Sequence, residues 1–86
     1  MSPRERGGPD VASWVGNVAR RLVDQPESVT VRLVHDEDAE VVELEVAREE
    51  MGRVIGRQGR TVQAMRALLD LAGEKHDRNY DLDIVE

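Results

Sequence analysis

Two glycines three residues apart, Gly56 and Gly59, interrupt the apolar pattern in the second half of the chain. Glycine reaches backbone angles that are closed to other residues, and it leaves no side chain in the way of a ligand. A short apolar segment precedes the pair and a long helical pattern follows it, so the sequence predicts a tight turn between two helices. Arg57 and Arg60 place positive charge at that turn. Because the second helix would point free N–H groups toward the same place, the arrangement suits a phosphate.

Three helices are predicted from the spacing of apolar residues. The first covers about 10–24, with Asp10 as its N-cap. A short helix is expected over 49–54, and a longer one over about 60–74, where Gly73 marks the expected end. The apolar face of the longest helix is expected to contain Val62, Met65, Leu68, Leu69, Leu71 and Ala72.

Alternating apolar and polar residues predict strands over 28–35, 41–46 and 80–84. The short connection between the first two strands favours antiparallel pairing, and the helical crossover between the second and third favours parallel pairing. The expected fold is α+β, in the order α-β-β-α-α-β, with a mixed three-stranded sheet and three helices packed on one face. The other face would meet water through Thr30, Arg32, Glu43, Glu45, Asp81 and Asp83.

The charge of the chain is unevenly distributed. The formal net charge of the 86 residues is −6. Residues 48–66 nevertheless carry five arginines and two glutamates, a balance of +3, which leaves −9 for the rest. A nucleic-acid ligand would therefore be bound locally, around the glycine turn, through few phosphates.

Several classes of function find no support in the sequence. The chain has no cysteine, His35 and His76 lack metal-ligand spacing, and no serine or threonine is paired with a base. We expect neither an enzyme nor a bound cofactor or metal. No apolar run approaches the roughly 20 residues that span a membrane, and the N-terminus lacks the apolar stretch of a secretion signal. A cytoplasmic protein without membrane contact is expected.

The glycine turn and its surroundings resemble a known family. The segment Val54-Ile55-Gly56-Arg57-Gln58-Gly59-Arg60 is similar to the I-G-x-x-G signature of KH domains, and the element order resembles their type II, bacterial arrangement. More narrowly, the chain resembles the KhpA-like small bacterial KH proteins. The resemblance covers residues 11–86, which would form a single KH domain after a flexible tail over residues 1–10. It is carried by the stretches 22–27, 46–47, 51–56 and 83–85.

The resemblance implies that about four nucleotides of single-stranded RNA are held across the turn. Main-chain and charged groups would meet the sugar–phosphate chain, and the resemblance implies an aliphatic groove that receives the bases. The chain has only two aromatic residues, Trp14 and Tyr80, so stacking of bases on aromatic side chains is not expected near the turn. Arg66 is expected to be solvated, and Gly52 to permit close packing of the short helix. The RNA-binding residues implied are Arg53, Val54, Ile55, Gly56, Arg57, Gln58, Gly59 and Arg60.

The resemblance also implies a partner and a wider role. By this resemblance the chain would associate with itself and with a larger KH protein, KhpB, and the complex would act as an RNA chaperone linked to the cell envelope, cell-wall biogenesis and cell shape. Two other functions stay open at this point. One is a KH-fold dimerisation module with little RNA affinity of its own. The other is a helix-turn-helix DNA-binding protein, against which the acidic balance and the strand pattern count.

Overall fold

The structure is a computed structural model that describes residues 10–86. The tail predicted for residues 1–10 lies outside the described residues, apart from Asp10. The remainder forms the elements α1 (Val11–Leu22), β1 (Thr30–His35), β2 (Glu40–Glu45), α2 (Met51–Ile55), α3 (Arg60–His76) and β3 (Tyr80–Val85). Single 3₁₀ turns occupy Pro26–Ser28, Arg48–Glu50 and Arg57–Gly59. The predicted order of helices and strands is confirmed.

Helix α1 begins where the sequence predicts. The Asp10 carboxylate accepts a hydrogen bond from the Ser13 N–H at 3.2 Å, as an N-cap does. Val15 and Ala19 are fully buried against the sheet. The helix ends at Leu22, two residues before the predicted end.

The sheet has the predicted mixed topology, in the order β1-β2-β3. Strands β1 and β2 pair antiparallel, and β2 and β3 pair parallel. The inner face of β2 buries Val42 and Leu44 completely beneath the helices. The outer face is polar, as predicted, and there Arg32 contacts Glu43 at 2.8 Å. One face therefore forms the core, and the other meets water.

The end of α3 lies next to the start of β3 and is held by polar contacts. The Arg78 guanidinium donates to both carboxylate oxygens of Glu40, at 3.0 and 3.2 Å. The neighbouring Tyr80 packs as a core residue, and burial raises the pKa of its hydroxyl above the ordinary value. This cluster fixes the end of α3 that lies opposite the glycine turn.

Two expectations about α3 are wrong. Gly73 does not end the helix, which continues to His76 before Asp77 adopts the left-handed conformation at φ 55° and ψ 48°. Gly73 is instead buried where the chain returns, and its carbonyl accepts from the Arg78 N–H at 2.8 Å. Leu68 and Leu71 do not join the core either; they are 50% and 57% exposed because they project away from the sheet.

The close approach at Gly73 predicts a specific loss of stability. A Cβ atom at this position would collide with the backbone carbonyl oxygen of Arg78. We expect Gly73→Ala to lower the free energy of unfolding by about 1–3 kcal/mol, the usual cost of overpacking, in urea titrations. Gly52→Ala is the matched control, for which no loss of stability is expected, because a Cβ atom at Gly52 would meet nothing within 4 Å. The expectation that Gly52 permits close packing of the short helix is therefore wrong. Equal stability of Gly73→Ala and wild type would contradict the predicted collision.

Candidate nucleic-acid interface

The turn between α2 and α3 depends on the backbone of Gly56. This residue follows α2 with φ 82° and ψ 167°, a conformation open essentially to glycine alone. A Cβ atom here would also collide with the side chain of Thr61. The Gly56 N–H donates to the carbonyl of Gly52 at 2.9 Å, which closes the last turn of α2. Gly56 therefore turns the chain sharply at the end of one helix and sends it toward the next.

Gln58 and Gly59 complete the turn with left-handed backbone conformations. Gln58 has φ 57° and ψ 25°, and Gly59 has φ 73° and ψ 13°. The Gly59 N–H donates to the Gly56 carbonyl at 3.0 Å, and the Arg60 N–H donates to the Arg57 carbonyl. Of the four backbone amides from Arg57 to Arg60, those of Gly59 and Arg60 are thus used inside the turn. The amides of Arg57 and Gln58 come before these bonds and are the remaining candidates.

The side chains of the turn project into solvent. Arg57, Gln58 and Arg60 are all exposed. The Arg60 guanidinium donates to the Gln58 side-chain oxygen at 3.1 Å. Within residues 10–86, neither Arg57 nor Arg60 has a carboxylate oxygen within 4.0 Å. These two arginines can therefore meet an anion without first breaking an ion pair in the described part of the chain.

Arg53 differs from the two arginines of the turn. Its guanidinium lies 3.1 Å from the Asp24 carboxylate, and both side chains are more than half exposed. A surface pair of this kind contributes little to stability and exchanges readily with solvent. Arg53 is thus close to the turn in sequence but is partly neutralised by Asp24.

The first turn of α3 is left open for a negative charge. The helix is 17 residues long, its first turn carries no acidic residue, and no side chain caps it. The backbone dipoles of a helix add up to a partial positive charge at its N-terminus. Phosphate is the natural counterpart of that charge.

The two apolar residues before the turn have different environments. Val54 is 0% exposed and belongs to the core, so it has no surface to present to a base. The prediction that Val54 contacts RNA directly is therefore wrong. Ile55 is only partly buried and packs at the margin of the core. Of the predicted aliphatic pair, Ile55 alone can contact a ligand.

Two supporting residues were missed by sequence reasoning. Glu50 is 4% exposed, and its carboxylate accepts from the backbone N–H groups of Asp24 and Gln25, the latter at 3.1 Å. No signal in the sequence marks Glu50, because the two N–H groups lie in the segment after α1, far from Glu50 along the chain. Arg66 is exposed, as expected, but its guanidinium also donates to the Leu82 carbonyl at 3.0 Å and so fastens α3 to the edge strand β3.

Other kinds of site are not formed by the described residues. Across residues 10–86, no group of His, Asp or Glu side chains is arranged to hold a metal ion. No helix in the same range is both long and apolar enough to span a lipid bilayer.

Comparison with known proteins identifies the family. Residues 12–84 match the family model described as KhpA/KhpB, KH domain. A protein named RNA-binding protein KhpA from Caldanaerobacter subterraneus subsp. tengcongensis is 41% identical over 71 residues, which cover 83% of this chain and 95% of that relative. Proteins of the same name from Listeria monocytogenes and Treponema pallidum are each 39% identical, over 81% and 84% of this chain and 92% and 90% of their own lengths. The chain belongs to the KhpA/KhpB family of KH domains, which confirms the resemblance and the type II KH fold.

A substitution of Glu50 tests whether its carboxylate anchors the segment before α2. We expect Glu50→Ala to lower the free energy of unfolding by about 1–3 kcal/mol, because two backbone N–H groups lose their buried acceptor. Urea titration followed by circular dichroism would measure the change. The control is Glu49→Ala at the adjacent exposed position, for which a change within about 0.5 kcal/mol is expected. Equal effects of the two substitutions would contradict the supporting role of Glu50.

Proposed function

We propose that this member of the KhpA/KhpB family binds single-stranded RNA, about four nucleotides at a time, across the turn from Gly56 to Gly59. The observation that supports it most is the turn itself. It exposes two arginines that have no carboxylate partner within residues 10–86, next to the uncapped start of a 17-residue helix.

In this proposal the turn binds the sugar–phosphate chain. Arg57 and Arg60 form charge-assisted hydrogen bonds with phosphate oxygens. The Arg57 and Gln58 amides and the dipole of α3 contribute at the same place. The hydrogen bond from Arg60 to Gln58 holds both side chains above the turn before a ligand arrives. Phosphate contacts of this kind set the position of the strand and carry no sequence information by themselves.

Base contacts would be aliphatic. Tyr80 is buried in the core, and Trp14 lies on α1, which does not carry the turn. Ile55 keeps a partly exposed apolar side chain directly before Gly56. The domain therefore lacks aromatic stacking at the turn, which in other RNA-binding folds contributes much of the affinity. We expect modest affinity and weak sequence preference for the isolated domain.

The charge distribution restricts RNA to one side of the molecule. The outer face of the sheet carries Glu45, Asp81 and Asp83, all exposed, and the helices cover the opposite face. A polyanion is repelled from the sheet and attracted to the turn between the helices. The net charge of −6 therefore does not oppose binding at the turn but confines binding to it.

The wider role proposed rests on the family. As a KhpA-like protein, this chain would act in the cytoplasm, without catalysis, as an RNA chaperone together with a KhpB-like KH protein or a second copy of itself. Its cellular role would concern the cell envelope, cell-wall biogenesis and cell shape.

A second candidate function is supported by one surface. Leu68 and Leu71 are exposed on α3, and a largely apolar cleft of about 390 Å³ lies between α1 and α3. Side chains of Trp14, Leu68 and Ala72 line it. Such a surface is consistent with a KH-fold module that pairs with another protein and has little RNA affinity alone. The two functions use different faces and are therefore separable by mutation.

The RNA site is tested by reversing the charge of the turn. We expect Arg57→Asp combined with Gln58→Asp to abolish binding of a fluorescent single-stranded RNA in anisotropy titrations. Both side chains are exposed, and aspartate tolerates the left-handed conformation of position 58, so the fold should persist. The new carboxylate at position 58 would also neutralise Arg60.

A matched control changes the net charge of the protein by the same amount, but away from the turn. Asn17→Asp with Arg21→Asp alters two exposed positions of α1 and should keep RNA binding close to the wild-type level. Equal binding by the turn variant and wild type would reject the site.

Light scattering distinguishes RNA binding from protein pairing. The turn variant should lose RNA binding but keep the molar mass of wild type, whatever the oligomeric state. Preference for duplex DNA in competition would favour the DNA-binding alternative.

A further inference from the structure

Within residues 10–86, Glu50 is the only charged residue that is buried, with 4% of its surface exposed. Its carboxylate accepts hydrogen bonds from the backbone N–H groups of Asp24 and Gln25, which lie in the segment after α1. A carboxylate that has lost its hydration depends on such bonds. We call these two hydrogen bonds the Glu50 clasp.

The Glu50 clasp joins α2 to a part of the chain that is fixed independently of the turn. Val23 and Val29 are buried in the core and hold the segment between them at both ends. Glu50 directly precedes Met51, the first residue of α2. The place where α2 starts is therefore set by the backbone that follows α1.

Helix α2 is too short to hold its own orientation. It has five residues, Met51–Ile55, and isolated helices of fewer than about 12 residues are marginal in water. Tertiary contacts must therefore fix it, and Val54 anchors one face while Glu50 anchors the start. Because the Gly56 N–H donates to the Gly52 carbonyl at 2.9 Å, a movement of α2 would carry the start of the turn with it.

A second contact joins the same two segments but is weaker. The Asp24 carboxylate lies 3.1 Å from the Arg53 guanidinium, and the two side chains are 73% and 55% exposed. Water competes for both groups of an exposed ion pair, so the pair contributes little. The orientation of α2 relative to the segment after α1 therefore depends mainly on the buried clasp.

We infer that Glu50 is a positioning residue of the RNA site, which holds α2 so that the glycine turn and the start of α3 form one surface. The inference rests on the proposed function. Without the clasp, α2 populates other orientations, and the apparent affinity for RNA falls with the fraction of molecules in the competent one. Because coupling between two sites is reciprocal, RNA bound at the turn must also strengthen the clasp.

The first test compares the Kd of a labelled single-stranded RNA for Glu50→Ala and Gly73→Ala. Both substitutions are expected to lower the free energy of unfolding, but Gly73 lies near the end of α3 opposite the turn. At a temperature where urea titrations show both variants folded, Glu50→Ala should raise the Kd about tenfold, as for a competent fraction of about one tenth. Gly73→Ala should keep the wild-type Kd. Glu50→Gln retains one acceptor oxygen and should bind RNA more tightly than Glu50→Ala.

The second test uses the wild-type chain and measures amide hydrogen exchange by NMR with and without the same RNA. Exchange at the Asp24 and Gln25 amides should slow on RNA binding, although neither residue belongs to the turn. The Arg78 amide is the control, because it donates to the Gly73 carbonyl at the opposite end of α3 and reports stabilisation of the whole domain. The clasp amides should slow more than the Arg78 amide does.

Two results would overturn the inference: equal Kd values for Glu50→Ala and Gly73→Ala, or exchange at Asp24 and Gln25 that slows no more than at Arg78. If Glu50→Ala does not fold, the exchange comparison on wild type decides alone. Absence of RNA binding by wild type would reject the proposed function itself. RNA binding by wild type with an unaltered Kd for Glu50→Ala would reject only the role of Glu50.

Discussion

The site depends on one backbone conformation, that of Gly56. At φ 82° and ψ 167° this residue ends α2, leaves room for Thr61, and directs the chain into α3 within a single 3₁₀ turn. Because Gly56 turns the chain there, Arg57 and Gln58 project from the protein and the first turn of α3 stays open. Any side chain at position 56 would have to open the turn, and the arginines would no longer share one surface with the helix start.

Structural support for that conformation comes from residues away from the turn. Glu50 anchors the segment before α2 by accepting from the backbone that follows α1. Arg66 fastens α3 to the carbonyl of Leu82 on the edge strand. At the other end, the pair of Arg78 and Glu40 holds the junction of α3 and β3. The turn is thus held between fixed elements, which reduces the cost of ordering its backbone when a ligand binds.

The sequence predicted the architecture well because periodicity reports which face of an element is buried. It placed every strand and helix in order, the sheet topology and the glycine turn. Sequence-based prediction failed where contacts between distant segments determine the structure. A glycine near the end of an apolar pattern is typical of a helix end, so the sequence predicts that α3 ends at Gly73. Gly73 instead lies inside the helix, where the backbone of Arg78 comes too close for any side chain.

The same limitation applies to the candidate site. Leu68 and Leu71 match the helical spacing but project away from the sheet, so about half of each side chain stays exposed. Val54 and Ile55 are adjacent and chemically alike, and only the structure shows that Val54 faces the core. The carboxylate of Glu50 cannot be told from that of Glu49 by sequence, because the backbone N–H groups that donate to it lie 25 and 26 residues away along the chain.

RNA binding at the turn is tested most directly by an amide nitrogen–proton NMR titration of the full chain with a short single-stranded RNA. We expect the largest chemical-shift changes at the amides of Arg57, Gln58 and their neighbours in the turn. The amides of Asp81 and Asp83 on the outer face of the sheet should stay unchanged. Shifts concentrated on that acidic face, or on α1, with an undisturbed turn would contradict RNA binding at the turn.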